Sequence, residues 1–173
     1  MPTATPMLTP ALIWREMPSA QRLAAAQAFW ADEESVPQQA EAIQAIARQL
    51  HFRPHSVMKL PPDKLARHLS SQLRASESLA GRLLVVYHLA CQRPMLEAFL
   101  DRLGIAHEQG LISESEAHTP DAAALRAAAD ALRAAFPESD VRLYFRTLAA
   151  QDPDTWGELA AIVDAWPGAE PPA

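Results

Sequence analysis

The stretch SESLAGRLLVVYHLACQR, residues 76–93, is apolar on almost every side when it is wound as a helix. A helix with this pattern must be surrounded by other elements, because its apolar surface cannot be left in water. Val85 and Val86 are β-branched and would also suit a strand, but the length of the run and the helical patterns on either side favour a helix. The sequence therefore predicts a central helix at roughly residues 77–92.

Other segments of the chain carry apolar residues at the spacing of an amphipathic helix. Several open with proline, which lacks the amide hydrogen that the first helical turn leaves unpaired. Thr119 and Asp152 are predicted to cap two of them. The segments are residues 19–32, 36–50, 61–73, 94–104, 119–136, 139–151 and 152–166. With only 5 glycines and no convincing alternating segment, we expect an all-α fold, a single globular helical bundle of about seven or eight helices around the central helix.

Three local expectations concern the first half of the chain. Leu65, Leu69 and Leu73 form the inward stripe of the predicted helix at residues 61–73. The preceding stretch, HFRPHSVMKLPP, carries three prolines that forbid one continuous helix, so it is interpreted as a structured connection. Trp14 lies in a proline-rich entry segment, where it either packs that segment down or serves a second subunit.

The predicted domain organisation has three parts. Residues 1–17 form a proline-rich N-terminal segment that is partly ordered, and residues 168–173 form a disordered tail. Residues 18–167 form the all-α domain, which could consist of two lobes that meet near residues 113–119. No internal repeat is convincing.

Composition limits the classes of function. The chain has 173 residues, of which 21% are charged, as is typical of a soluble protein. Its single cysteine excludes an intramolecular disulfide and fits a cytoplasmic location, and its net charge of -6 argues against general affinity for nucleic acid. No apolar run reaches the roughly 20 residues that a bilayer crossing requires, and the N-terminus is a poor signal peptide. The alanine-rich texture suggests a bacterial chain. We expect no membrane association.

Charge is spread unevenly. Residues 48–102 carry nine basic and four acidic side chains, whereas residues 103–173 carry four basic and twelve acidic ones. The basic candidates for a patch are Lys59, Lys64, Arg67 and Arg74. A helix-turn-helix could be drawn over residues 62–73 and 76–90, but its reading helix would be the apolar central one, so we do not expect nucleic acid as a partner. Alternatively, the basic and acidic parts simply compensate each other on the surface.

The central helix also carries the first ligand candidates. His88 and Cys91 are three residues apart and share a helix face, and Tyr87 adjoins them. A thiol beside an imidazole can become a nucleophile, but both residues lie in the most apolar helix, where a structural role is the simpler interpretation. We therefore assign no catalytic residue and keep Tyr87, His88 and Cys91 as candidates for a small-molecule pocket.

A second candidate is the pair His107 and Glu108, in a tight segment closed by Gly110. Gly104 is expected to end the preceding helix in a left-handed conformation, with Ile105 folding back onto Leu100. The pair resembles the start of the zinc motif HExxH, but Leu111 stands where the second histidine is required, so that motif fails.

A metal bound by His107, Glu114 and His118 is conceivable, although a solvated loop is the default and no metal or cofactor is predicted. The sequence also contains no phosphate-binding glycine loop and no nucleophile elbow. The leading hypothesis is a non-enzymatic module that binds another protein or associates with itself. The alternatives are a small-molecule or metal-binding helical domain and, third, nucleic-acid binding through the basic middle of the chain.

Overall fold

The computed structural model describes residues 7–113 and 119–168 of the chain. Helices make up 75% of the structure, and the described residues contain ten α-helices, one 3-10 turn and one pair of two-residue strands. The predicted all-α fold is confirmed. Two short helices, Pro10–Glu16 and Pro54–Met58, exceed the predicted number. Each begins at a proline, whose fixed backbone angle suits the first helical turn even where a long helix is impossible.

The chain divides into two compact units. Pro10–Cys91 form the N-terminal unit, and Gln92–Ala173 together with Met1–Thr9 form the C-terminal unit. The division falls between Cys91 and Gln92. Residues 114–118, which make up most of the predicted meeting point of two lobes, lie outside the described residues, as do residues 1–6 and the predicted tail from residue 169 onward.

Six helices build the N-terminal unit. They are α1 (Pro10–Glu16), α2 (Ser19–Ala31), α3 (Val36–Leu50), α4 (Pro54–Met58), α5 (Pro62–Ser70) and α6 (Glu77–Cys91), with a 3-10 turn at Glu33–Ser35 before α3. Within this unit α6 packs against α1, α2 and α3, and seven of its residues are buried. The prediction of a central apolar helix at residues 77–92 agrees with α6 to within one residue.

Side chains in α1 and α2 fix the start of the unit. Trp14 is fully buried, and its indole Nε1 donates a hydrogen bond of 2.7 Å to the carbonyl of Gln72. Ala25 and Ala26 are fully buried in α2, which packs against α5 and α6. Their small side chains let the helix backbones approach closely. Of the two roles considered for Trp14, the first is therefore the one seen: it anchors the entry segment.

The predicted stripe on α5 is correct for Leu69 and wrong for Leu73. Leu69 is fully buried, whereas Leu73 is 45% exposed, because α5 ends at Ser70. The hydroxyls of Ser70 and Ser71 donate to the carbonyls of Arg67 and His68. Such local bonds offer the backbone an alternative to further helical turns, so Leu73 falls in the connection to α6.

Four helices and a hairpin build the C-terminal unit. They are α7 (Arg93–Leu103), β1 (His107–Glu108), β2 (Leu111–Ile112), α8 (Ala122–Ala135), α9 (Glu138–Gln151) and α10 (Pro153–Asp164). Helix α10 packs against α9 and α8, and α7 packs against α8. Phe99 is the aromatic centre of the unit, with its ring 4.8 Å from that of Phe145 and 5.7 Å from that of Tyr144.

The caps of α8 and α10 both come from aspartate. The carboxylate of Asp152 accepts a hydrogen bond from the amide of Thr155, as predicted. The predicted cap Thr119 is wrong, because the capping carboxylate belongs to Asp121 and accepts from the amide of Ala124. Aspartate caps as well as threonine or better, so the helix begins two residues later than the sequence suggested.

Candidate functional site

The ligand candidates on α6 lie in different environments. His88 is 2% exposed, and its burial lowers the pKa to about 3, so the imidazole is neutral at physiological pH. The Tyr87 ring lies edge-on, with its centre 5.3 Å from that of His88. Cys91 ends the helix and is exposed, although partial burial of its thiol still raises its pKa. A neutral histidine and a protonated thiol cannot form the thiolate–imidazolium pair of a cysteine nucleophile.

Residues 107–112 form a β-hairpin with a two-residue turn rather than an irregular loop. His107 pairs with Ile112 and Glu108 with Leu111. The two turn residues, Gln109 and Gly110, have φ angles of 52° and 91°. Positive angles at both positions indicate a type I′ turn, whose twist matches the flanking strands.

The His107 side chain closes this hairpin. Its Nδ1 accepts a hydrogen bond of 3.1 Å from the Gly110 amide, so the proton lies on Nε2, which donates over 2.8 Å to the carboxylate of Asp101. Both ring nitrogens therefore have structural partners. Glu108 points to solvent. The geometry gives His107 a folding role, while its role as a ligand stays a prediction.

The stop before the hairpin is the one predicted. Gly104 has a φ of 67°, its amide donates to the carbonyl of Asp101, and the Ile105 amide donates to that of Leu100 over 3.0 Å. These two bonds define a Schellman motif. Glu114 and His118, the other members of the conceivable metal site, lie outside the described residues. Among the residues that the structure does describe, no group of three metal-ligating side chains occurs.

A basic surface runs along residues 48–74 of the N-terminal unit. We define it by six exposed side chains: Arg48, Arg53, Lys59, Lys64, Arg67 and Arg74. In the described part of the chain none of the six forms an ion pair. Asp63 is the only acidic residue in this stretch of sequence. The four predicted patch residues are thus all exposed, and Arg48 and Arg53 belong to the same surface although the sequence-based prediction did not include them.

Large apolar side chains are exposed within the same stretch. Phe52 is 51% exposed and Met58 is 62% exposed. Phe52 follows His51, which takes the left-handed conformation with a φ of 55°, and the Phe52 amide donates to the carbonyl of Ala47 over 2.9 Å. The His51 amide donates to the same carbonyl, so this is a left-handed ending related to the Schellman motif, with histidine in place of glycine. It reverses the chain after α3 and presents Phe52 next to Arg53.

An open groove lies between α8 and α10 in the C-terminal unit, and we call it the helical groove. Its volume is about 260 Å³, its apolar lining is formed by Ala161, Ile162, Ala165 and Trp166, and its polar lining by Arg126, Asp130 and Glu158. Arg126 and Glu158 form an ion pair of 2.9 Å, whereas Asp130 is exposed and has no ion pair among the described residues. None of the sequence-predicted ligand residues lines this groove.

Comparisons with protein-family models, with curated proteins and with solved structures find no match for this chain.

Helix α6 is a poor candidate for a DNA recognition helix. In the helix-turn-helix that the sequence allowed, residues 76–90 would enter the major groove. Leu83, Leu84 and Val86 are buried, so the exposed polar face that a recognition helix needs is missing from most of this helix. None of the described helices has both the length and the apolar character required to cross a membrane.

Proposed function

We propose that this chain is a non-enzymatic protein-interaction module whose N-terminal unit docks an acidic protein. The contact would be made by the basic surface together with Phe52 and Met58. One observation carries this proposal: residues 48–74 combine six exposed cations that form no ion pair with any described residue and three exposed large apolar side chains, Phe52, Met58 and Leu73. A cytoplasmic location, suggested by the single cysteine, stays a prediction.

The residue types support a protein contact. Single exposed apolar side chains are common on protein surfaces, but phenylalanine, methionine and arginine are the types enriched in the centres of protein interfaces. The neighbouring cations would guide an acidic partner and would rank partners by charge. The stretch has six basic side chains and one acidic one, a net charge of +5.

A protein is favoured over a nucleic acid as the partner. The chain as a whole has a net charge of -6. A long polyanion that extended past the basic surface would therefore be repelled by the rest of the protein. Phosphate contacts also need no exposed apolar side chains, and the helix that would read base edges is largely buried. The other alternative, a ligand pocket beside α6, receives no support from a buried neutral His88 and an exposed Cys91.

A peptide-display selection tests the proposal. The full chain is the bait, and peptides that also bind the double variant Lys64→Glu/Arg67→Glu are removed. We expect the enriched peptides to be acidic and to contain a large apolar residue. Phe52→Ala should weaken a selected peptide about tenfold or more, as truncation of an aromatic anchor does, and added salt should weaken it further.

The control variant is Leu111→Ala, because Leu111 is also 51% exposed but lies in the hairpin of the other unit. It should bind the selected peptides like the wild type. A selection that enriches no peptide sensitive to the charge variant would contradict the proposal. Tighter binding of a random-sequence DNA duplex than of any peptide, unchanged by Phe52→Ala, would contradict it as well.

A further inference from the structure

We infer that the acidic partner is a second copy of this chain, with Phe52 of one copy inserted in the helical groove of the next and Arg53 paired with Asp130. This inference rests on the proposed function and names the occupant of both surfaces.

The size of the groove suits one side chain. Pockets that hold drug-sized molecules measure roughly 300–1,000 Å³ and enclose most of the ligand. The helical groove is smaller, about 260 Å³, and it is open to solvent. A single aromatic ring with part of its backbone would fill it, which is the way that anchor residues bind at protein interfaces.

The lining matches an aromatic residue followed by a cation. Ala161, Ile162 and Ala165 offer an apolar surface beside Trp166, against which a phenyl ring would bury its exposed area. On the α8 side, the carboxylate of Asp130 has no ion pair within the described ranges. Phe52 and Arg53 provide this combination on consecutive residues, and both are exposed.

The charges of the two surfaces are complementary. Residues 48–74 have a net charge of +5, whereas residues 92–173 contain six basic and fourteen acidic side chains, a net charge of -8. Each copy carries one basic surface and one groove. A contact between them uses two different surfaces, so it is heterologous and either closes a ring or extends a chain of copies.

Two variants separate the surfaces. The first, Phe52→Ser/Arg53→Glu, removes the inserted residues and keeps the groove. The second, Asp130→Arg/Ala161→Arg, fills the groove and keeps the inserted residues. All four positions are exposed, and far-ultraviolet circular dichroism with thermal unfolding verifies that both variants fold. The assembly state of each chain is measured by sedimentation equilibrium at low and high salt.

We expect the wild type to associate at low salt and to dissociate as salt is added. Each variant alone should be monomeric, and an equal mixture should form a dimer of one copy of each, because only one intact pair of surfaces is then available. A wild type that stays monomeric at about 1 mM, far above the range of specific contacts, would overturn the inference. So would a groove variant that associates like the wild type, or a mixture that stays monomeric.

The outcome also separates this inference from the proposed function. If the selected acidic peptides bind through Phe52 but the assembly state of the groove variant equals that of the wild type, the partner is another protein. In that case only the present inference fails. If neither Phe52→Ala nor the charge variant affects any binding, the proposed function fails as well.

Discussion

The guanidinium of Arg142 lies against the indole of Trp166, with its central carbon 5.3 Å from the centre of the ring. Its Nη1 donates a hydrogen bond of 2.7 Å to the carbonyl of Val163 in the last turn of α10, an oxygen that also accepts from the amide of Trp166 over 3.2 Å. Arg133 lies on the same indole at 4.9 Å. These contacts fix the helix end that borders the helical groove.

Arg142→Met should lower the free energy of unfolding by about 2 kcal/mol, the sum of a charge-assisted hydrogen bond and a partly buried cation–π contact. Chemical denaturation of the full chain measures the change. Arg126→Met is the matched control, because the Arg126–Glu158 pair is largely solvated and should contribute less than about 1 kcal/mol. Equal effects of the two variants would show that Arg142 does not fix the end of α10.

Glu138 should make the free energy of unfolding of the C-terminal unit decrease at acidic pH. Hydrogen bonds from Arg142 and Arg133 lower the pKa of this carboxyl below its ordinary 4.5. Because the folded pKa is depressed, the stabilisation is complete above 4.5 and is lost as the pH falls through the folded value. Denaturation of the wild type and of Glu138→Gln should therefore differ most near neutral pH and converge in acid. A difference that does not change with pH would contradict this account.

His88 should make the fold sensitive to mildly acidic pH. Its burial lowers the pKa from 6.5 to about 3, so below pH 6.5 the unfolded chain binds a proton that the folded chain does not. The corresponding stability is present above pH 6.5 and is lost towards pH 3, at about 1.4 kcal/mol per pH unit. His88→Gln should remove this slope, whereas His55→Gln, a change at an exposed position, should keep it. A wild-type slope in His88→Gln would refute the assignment.

Two positions test the left-handed helix endings. His51 has a φ of 55°, a conformation that costs a residue with a side chain roughly 1 kcal/mol. His51→Gly should raise the free energy of unfolding by about 0.5 kcal/mol, since glycine relieves that cost but gains entropy in the unfolded chain. Gly104→Ala should lower the free energy of unfolding by about 1 kcal/mol, because alanine is strained at a φ of 67°. An added Cβ would meet nothing within 4 Å, so the whole effect is assigned to the backbone conformation. Changes of the opposite sign would contradict this interpretation.

Of these two left-handed helix endings, the sequence predicted the one at Gly104 and not the one at His51. Both helices end at a residue in the left-handed conformation, and the amide of the next residue donates back to a carbonyl five residues earlier. Only Gly104 could be recognised in the sequence, because glycine is the usual residue in the left-handed region and histidine is not. The stop before the hairpin was therefore predicted, while the turn that presents Phe52 was not. In the same way, Gln109-Gly110 lacks the asparagine or aspartate that normally marks a type I′ turn, so a hairpin was taken for a loop.

The buried helix α6 was predictable because its apolar residues cover every side, and no knowledge of the neighbouring helices was needed. The exposure of Lys59, Lys64, Arg67 and Arg74 followed from their charge. The helical groove could not be predicted from the sequence pattern, because alanines such as Ala161 and Ala165 are equally compatible with a buried and an exposed position. Their place depends on how α8 and α10 pack, which short-range spacing does not determine.

The central claim is that residues 48–74 dock an acidic protein, and amide hydrogen exchange of the full chain tests it most directly. The chain is compared alone and saturated with an acidic peptide from the selection. We expect slower exchange in α4, α5 and the turn at residues 51–53, with little change in α9. Protection confined to the C-terminal unit, or no protection anywhere under saturating peptide, would contradict the claim.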